Sequence, residues 1–184
     1  MKKRIEEDSI GKIEVSEDAL WGAQTQRSYE NFPQGVETMP YSLLMAIVNI
    51  KKACAQVNFT ENKLSEQKRD LIVYAANQIL SGHYDDQFPL TIWQTGSGTQ
   101  TNMNVNEVIA HIANKKNGKD IIHPNDDVNM GQSSNDVFPT AMHISSILNL
   151  KENLYKEIEA TIEILEELEK ENKIIKTGRT HLQE

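Results

Sequence analysis

The sequence predicts a mainly α protein: a small N-terminal helical domain with a short β element, followed by the first long helix of a central helical bundle. Helical periodicity recurs in several segments separated by proline and glycine. Strand-like alternation is confined to the first residues. From about Asn135, apolar residues recur at an average spacing of about 3.5, the value for nearly parallel helices in bundles. The predicted domains are residues 1–134 and 135–184.

The first elements follow from alternation and from proline positions. Gly11–Val15 alternates apolar and polar residues and is expected to form a short strand. Ala23–Phe32 is predicted to be helical and to end before Pro33. Pro40 fits the first turn of the next helix, which is expected to run to about Asn58.

Capping residues and glycines delimit the middle of the chain. Ser65 is expected to start a helix, and Gly82 lies just past its end. His83–Gly98 has no helical period and is predicted to be a loop, with a short strand expected at Leu90–Trp93. The next helix is predicted from about Thr99 to Lys116.

The last predicted element is a very long helix from about Asn135. Pro139 is compatible with it only in the first turn, where a missing N–H costs nothing. A helix of this length cannot bury its apolar stripe alone, so it needs partner helices from further chain or from other subunits. The stripe consists of Ile147, Leu150, Leu154, Ile158, Ile162, Leu165 and Leu168.

Composition narrows the function classes. The chain has 184 residues and a net charge of −8, which argues against a nucleic-acid-binding surface. The longest apolar run, Leu43–Val48, is too short to span a membrane. Cys54 is the single cysteine, and the basic residues at the start precede acidic ones instead of an apolar segment, so a cytoplasmic location is expected. The histidines lack metal-ligand spacing, and neither a metal nor a cofactor is expected.

Glycine and hydroxyl residues precede the helix predicted from Thr99. In Gly96-Ser97-Gly98-Thr99 the glycines let the backbone approach a ligand, and the N–H groups of the helix N-terminus attract an anion. The phosphate-loop interpretation fails because the lysine it requires is absent. The alternative is an ordinary loop with a threonine cap. Asn102 and Asn106 follow on one helical face and indicate either a polar role or capping with solvent exposure.

Two more polar stretches precede the long helix. Ser133-Ser134-Asn135-Asp136 contains more capping residues than one helix requires, which leaves side chains free to bind an anion. His123-Pro124-Asn125-Asp126 is expected to form a turn, and capping by an aspartate is a sufficient explanation for it. Near the end of the chain, Thr180 precedes His181, whose side chain titrates near neutral pH and can transfer protons.

Six segments together resemble the fumarase/aspartase superfamily, and most closely the class II fumarases. They are Leu20–Ser28, Phe88–Thr99, Asn102–Glu107, His123–Asn129, Gln132–Thr140 and Gly178–Gln183. They are spread over nearly the whole length of the chain and stand in the family's order. Histidine at position 181, where aspartases have glutamine, favours water over ammonia as the added group.

The resemblance implies a role for each matching position. A substrate carboxylate would be held by Ser97, Gly98, Thr99, Ser133, Ser134, Asn135 and Thr180. His181 would be the proton donor and acceptor, acting through an activated water. His123, Pro124, Asn125 and Asp126 would form a second dicarboxylate site. Asp120 stands where the family often has arginine, and its negative charge should weaken that second site.

The implied activity is the reversible hydration of fumarate to L-malate in the tricarboxylic acid cycle, by a homotetramer. The family's chains are more than twice as long, and their catalytic serine loop follows later. We therefore expect this chain to be the N-terminal part of a longer enzyme and to be inactive alone. Two alternatives are an aspartase-type ammonia-lyase and a non-catalytic helical oligomerisation module.

Overall fold

The computed structural model describes residues 2–174 of the chain. Most of these residues are helical, and the only sheet among them is a two-stranded hairpin, which confirms the mainly α prediction. The strands are β1 (Lys3–Asp8) and β2 (Gly11–Ser16). The α-helices are α1 (Ala23–Asn31), α2 (Tyr41–Thr60), α3 (Glu66–Leu80), α4 (Thr99–Asn117), α5 (Ser134–Asn149) and α6 (Tyr155–Glu171).

The predicted strand at Gly11–Val15 is confirmed as β2, and its antiparallel partner β1 was not predicted. The strand expected at Leu90–Trp93 is wrong. That segment forms a single antiparallel bridge between Thr38 and Thr91. Pro40 and Pro89 lie opposite each other on one side of the bridge and have no N–H to donate, so the pairing cannot extend in that direction.

Helix ends follow the predicted capping chemistry. Ser65 precedes α3, and its hydroxyl accepts the backbone N–H of Lys68 at 3.4 Å. Gly118 ends α4 in the left-handed conformation, and its N–H bonds the carbonyl of Asn114. Pro40 precedes the first residue of α2 instead of lying within its first turn.

The long helix is present, with two departures from the prediction. Because α5 begins at Ser134, Pro139 is its sixth residue and lies beyond the first turn. The ring therefore removes one helical hydrogen bond, the one to the carbonyl of Asn135. Leu150–Leu154 adopts a π-helical turn between α5 and α6, so α-helical geometry is interrupted for five residues.

The described residues form two compact units, divided between Ser145 and Ser146. The core of the first unit lies between α2, α3 and α4, with Val137 and Ala141 of α5 added to it. Its most deeply buried side chains include Ile47, Val48, Ile72, Ile79, Val105, Val108 and Ile109. The predicted domain boundary between residues 134 and 135 stays a prediction.

In the second unit, α6 exposes the predicted apolar stripe. Ile158, Ile162, Leu165 and Leu168 are each between 44% and 58% exposed. This fits the expectation that the stripe needs partner helices. Within residues 2–174, no helix combines the length and the apolar character that crossing a membrane requires.

Candidate functional site

Four hydroxyl side chains meet where α4 and α5 begin. Thr99 Oγ1 lies 3.1 Å from Ser134 Oγ and 3.0 Å from Ser97 Oγ, and Ser97 Oγ lies 3.3 Å from Thr95 Oγ1. We call Thr95, Ser97, Thr99 and Ser134 the hydroxyl cluster. It unites two polar stretches that are 35 positions apart. Thr95 was not among the predicted site residues, although it lies in the same polar stretch.

A glycine allows the two helix N-termini to approach each other. Gly98 precedes α4 with φ of +70°, in the left-handed region that glycine adopts readily. A Cβ at this position would overlap the ring of Phe138 in α5. Any side chain here would therefore push the start of α5 away, and with it the hydroxyl of Ser134.

Replacing Gly98 with alanine is expected to lower the free energy of unfolding by about 2 kcal/mol, because strained backbone and overlap with Phe138 add. Gly82→Ala is a matched control, since Gly82 has φ of +80° and open space around its Cβ position. It should cost only about 1 kcal/mol, from the backbone. Urea unfolding of the 184-residue chain measures the free energy of unfolding of both variants. Equal losses would show that the Phe138 ring moves aside without an energetic cost.

At the start of α5, Ser133 caps the helix and Ser134 contacts the hydroxyl of Thr99. Ser133 Oγ accepts the N–H of Asn135 at 3.3 Å, and the Ser133 carbonyl accepts the N–H groups of Asp136 and Val137 at 3.1 and 2.9 Å. Ser133 Oγ thus accepts a backbone N–H and keeps its own O–H as a donor, whereas the Ser134 hydroxyl belongs to the hydroxyl cluster and Asn135 is exposed. Two helix N-termini with hydroxyl donors form a region that favours a small anion such as a carboxylate.

Two predicted site residues, Thr180 and His181, lie outside the described residues. Gly98 is buried, and Ser97 and Thr99 are exposed. The hydroxyl cluster lines neither the cavity beside His123 nor the one beside Tyr29. It forms an open surface between α4 and α5.

The predicted second site begins at a turn held by a neighbouring carboxylate. The buried Asp127 carboxylate forms an ion pair with Lys68, whose Nζ lies 2.7 and 2.8 Å from the two carboxylate oxygens. The same carboxylate accepts the backbone N–H of His123 at 2.8 Å. Asp126 is exposed, and its N–H donates to Nδ1 of His123 at 3.1 Å. Asp127, and not Asp126, therefore fixes this turn.

A cavity of 880 Å³ adjoins that turn. Its lining includes three of the four predicted residues, His123, Pro124 and Asn125, together with Asp120. Lys115 and Lys119 line the same cavity. Arg4 adds a third positive charge, but Glu6, Glu7, Asp8 and Glu107 also line the cavity, so with Asp120 its carboxylates outnumber its cations five to three. This excess of negative charge weakens the cavity as a site for a dicarboxylate.

A buried glutamate caps the N-terminus of α1. Glu107 of α4 accepts the backbone N–H groups of Gly22 and Gln24 at 2.9 Å and of Thr25 at 3.1 Å. Burial raises the pKa of its carboxyl group, against the lowering effect of these N–H donors. Glu107 thus serves as the N-terminal cap that the preceding residue, Gly22, cannot provide.

Buried and half-buried amides form a hydrogen-bonded network between α2, α4 and the turn that precedes α5. Asn129 Oδ1 accepts Nδ2 of Asn102 at 3.0 Å, Nδ2 of Asn106 at 3.3 Å and Nζ of Lys51 at 2.8 Å. Lys51 also donates to Oε1 of Gln132 at 2.8 Å. Asn102 and Asn106 are at most 2% exposed, so solvent exposure, one alternative raised by the sequence, is wrong for them.

Lys51 is the least expected member of that network. It is 0% exposed, and burial lowers its pKa to about 7. The sequence signals it poorly, because a lysine in a helix is usually exposed or extends its amine to water. The same holds for Glu107, whose partners lie more than 80 positions away.

Comparisons with known proteins identify the family of this chain. Residues 11–184 match the sequence model of the lyase family, described as "Lyase". Class II fumarate hydratases from Staphylococcus aureus and Wigglesworthia glossinidia brevipalpis are 52% and 56% identical over 197 and 187 positions, covering 100% and 98% of this chain. The chain spans 41% and 40% of those relatives.

Solved structures give the same result. The class II fumarase from Schistosoma mansoni matches with a TM-score of 0.94 and 42% identity, over 99% of this chain and 40% of that one. The fumarate lyase:delta crystallin from Brucella melitensis matches with a TM-score of 0.78 and 40% identity, over 82% of this chain and 36% of that one. The chain therefore belongs to the lyase family, and the resemblance to class II fumarases that its motifs predicted is confirmed.

Proposed function

We propose that this chain is the N-terminal portion of a fumarate hydratase, a hydro-lyase that interconverts fumarate and L-malate. One observation carries the proposal: Thr99 and Ser134, at the starts of two different helices, have hydroxyl oxygens 3.1 Å apart. Both helix N-termini contribute partial positive charge at that place. Such a pair suits one carboxylate of a small diacid.

The proposed roles follow the motif positions. Ser97, Gly98, Thr99, Ser133, Ser134 and Asn135 hold a carboxylate of the substrate, together with Thr180. His181 transfers the proton through a water molecule. His123, Pro124, Asn125 and Asp126 form a second dicarboxylate site. We also propose that residues 135–184 begin the central bundle domain.

Removing a proton beside a carboxylate places a second negative charge on that group, and stabilising this charge is the main task of the site. Hydroxyl and backbone N–H donors that are already oriented act without reorganising during the reaction. A single donor of this kind contributes about 3–4 kcal/mol, and a general acid or base about 10²- to 10⁴-fold. Several donors together therefore matter at least as much as His181.

The test is the absorbance of fumarate formed from malate by the full-length enzyme, with aspartate as the competing substrate. Turnover of malate alone supports the hydratase. Turnover of aspartate with release of ammonia would instead support the ammonia-lyase. The 184-residue chain is expected to be inactive in the same assay, because the family's later serine loop is not part of it.

Replacing Ser134 with alanine in the full-length enzyme is expected to lower kcat/KM for malate by about a hundredfold to a thousandfold, because one oriented donor contributes about 3–4 kcal/mol. Thr99→Ala should have a similar effect, and the double variant should lose less than the product, because the two hydroxyls contact each other. Ser42→Ala, on α2, is the control. A normal kcat/KM in Ser134→Ala would exclude its proposed role.

We further propose that the enzyme is a cytoplasmic homotetramer assembled through its long helices. The exposed apolar residues of α6 favour association, since a stripe of this kind is stable only when covered. The single cysteine, Cys54, suits a reducing compartment. Sedimentation of the full-length protein tests the assembly. An oligomerisation module without catalysis would associate in the same way but would show no thermal stabilisation by fumarate.

A further inference from the structure

Lys51 lies in the core of the first unit with an unusual set of partners. Its ammonium group is 0% exposed and donates to two amide oxygens, Oδ1 of Asn129 and Oε1 of Gln132, both at 2.8 Å. No carboxylate is recorded as its partner within residues 2–174. Burying a charge without a carboxylate partner lowers the free energy of unfolding, so packing alone does not explain this lysine.

The geometry indicates what the ammonium does. Whether protonated or neutral, the Lys51 amine has at least two N–H groups to donate, and these two bonds turn the oxygen end of each partner amide toward it. The NH₂ ends then point into the turn: Asn129 Nδ2 donates to the carbonyl of Gln132 at 3.2 Å, and Gln132 Nε2 donates to the carbonyl of Val128 at 2.9 Å. Lys51 is thereby linked, through these two side chains, to the backbone of residues 128–132.

This turn connects directly to both halves of the hydroxyl cluster. Gln132 is followed immediately by Ser133 and Ser134, which start α5. Asn129 Oδ1 also accepts Nδ2 of Asn102, which lies one turn into α4 behind Thr99. The Oδ1 atom of the half-buried Asn129 is thus bonded both to Lys51 and to α4, the helix that carries Thr99.

We propose that Lys51 is a positioning residue for the substrate carboxylate site, holding Ser134 and Asn135 in register with Thr99 through Asn129 and Gln132. The inference rests on the proposed function, because it concerns the same carboxylate site. Lys51 does not touch the substrate. It orients the turn that presents the residues which do.

The kinetic experiment compares wild-type full-length enzyme with Lys51→Met, which keeps the length of the side chain but has no donor. Lys51→Met is expected to lower kcat/KM for malate at least tenfold, mainly by raising KM, while its melting temperature is not lowered. A residue that only held the fold together would lower activity and melting temperature together. Lys52→Met, the neighbouring lysine on α2, should change neither value.

A second measurement does not depend on activity. Hydrogen exchange in the 184-residue chain reports the amide of Gln132, which bonds the carbonyl of Asn129 at 3.0 Å, and the amide of Val137, which bonds the carbonyl of Ser133 at 2.9 Å. Both should exchange at least tenfold faster in Lys51→Met and at the wild-type rate in Lys52→Met. If Lys51→Met does not fold, Lys51→Gln replaces it, since glutamine retains an N–H donor without the charge.

The outcomes separate the two proposals. An active wild type whose Lys51 variant keeps both kcat/KM and exchange rates overturns the positioning role alone. A wild type without malate turnover overturns the proposed function, and faster exchange at Gln132 and Val137 would then still support the role of Lys51 in orienting the turn. Equal losses of activity and of melting temperature would assign Lys51 to the fold only.

Discussion

Raising the pH from about 7 to about 10 should stabilise the wild-type chain by about 3–4 kcal/mol more than a Lys51→Met variant. Burial lowers the pKa of the Lys51 ammonium from its ordinary 10.5 to about 7. The unfolded chain keeps the ordinary pKa, so between these two values unfolding takes up a proton and stability rises with pH. Below about pH 7, Lys51 is protonated in both the folded and the unfolded chain, so burial of its charge destabilises the folded chain in full.

Urea unfolding followed by circular dichroism at several pH values gives the two stability curves. Both proteins should carry Cys54→Ala, because Cys54 lies on the same helix and its charge interacts with that of Lys51. The control Lys52→Met should follow the wild-type curve, since its side chain is not fully buried. Parallel curves for wild type and Lys51→Met would show that the buried amine keeps an ordinary pKa.

Replacing Glu107 with glutamine is expected to lower the free energy of unfolding by about 3 kcal/mol. The carboxylate accepts three backbone N–H groups at the start of α1, two on Oε2 and one on Oε1. Glutamine has one oxygen where the carboxylate has two. At least one buried N–H would therefore face an NH₂ group, and the interaction of the negative charge with the helix N-terminus would be lost.

Urea unfolding of the 184-residue chain at neutral pH measures this loss. Glu61→Gln is the matched control, because Glu61 is exposed and lies just past the end of α2. Hydrogen exchange adds a local readout, since the amides of Gly22, Gln24 and Thr25 should lose protection first. Equal unfolding midpoints for the two variants would mean that water replaces the carboxylate at no cost.

Local chemistry made most helices predictable. Ser65 and Gly118 mark helix ends because a side chain or a left-handed glycine satisfies backbone groups within a few residues. The hairpin was half predicted, since β2 alternates clearly, whereas β1 (Lys3–Asp8) is dominated by charged residues. The strand expected at Leu90–Trp93 failed because pairing depends on a neighbour that the local pattern does not reveal.

The candidate site was predictable only in part. The motifs that resemble class II fumarases identified Ser97, Thr99 and Ser134, and the structure brings these hydroxyls together. Composition could not identify Lys51 or Glu107, because a charged residue inside a helix is normally exposed. Their burial depends on acceptors and donors supplied by distant segments.

By itself, the sequence determined the helices, their ends, the apolar stripe of α6 and the family to which the chain belongs. Those features depend on residues near one another in the chain or on the order of its motifs. Only the tertiary structure decided which polar groups are buried and with whom they bond, as for Lys51 with Gln132, 81 positions apart, and Glu107 with Gly22, 85 positions apart. The physical reason is that a polar group enters the interior only where the fold supplies its partner.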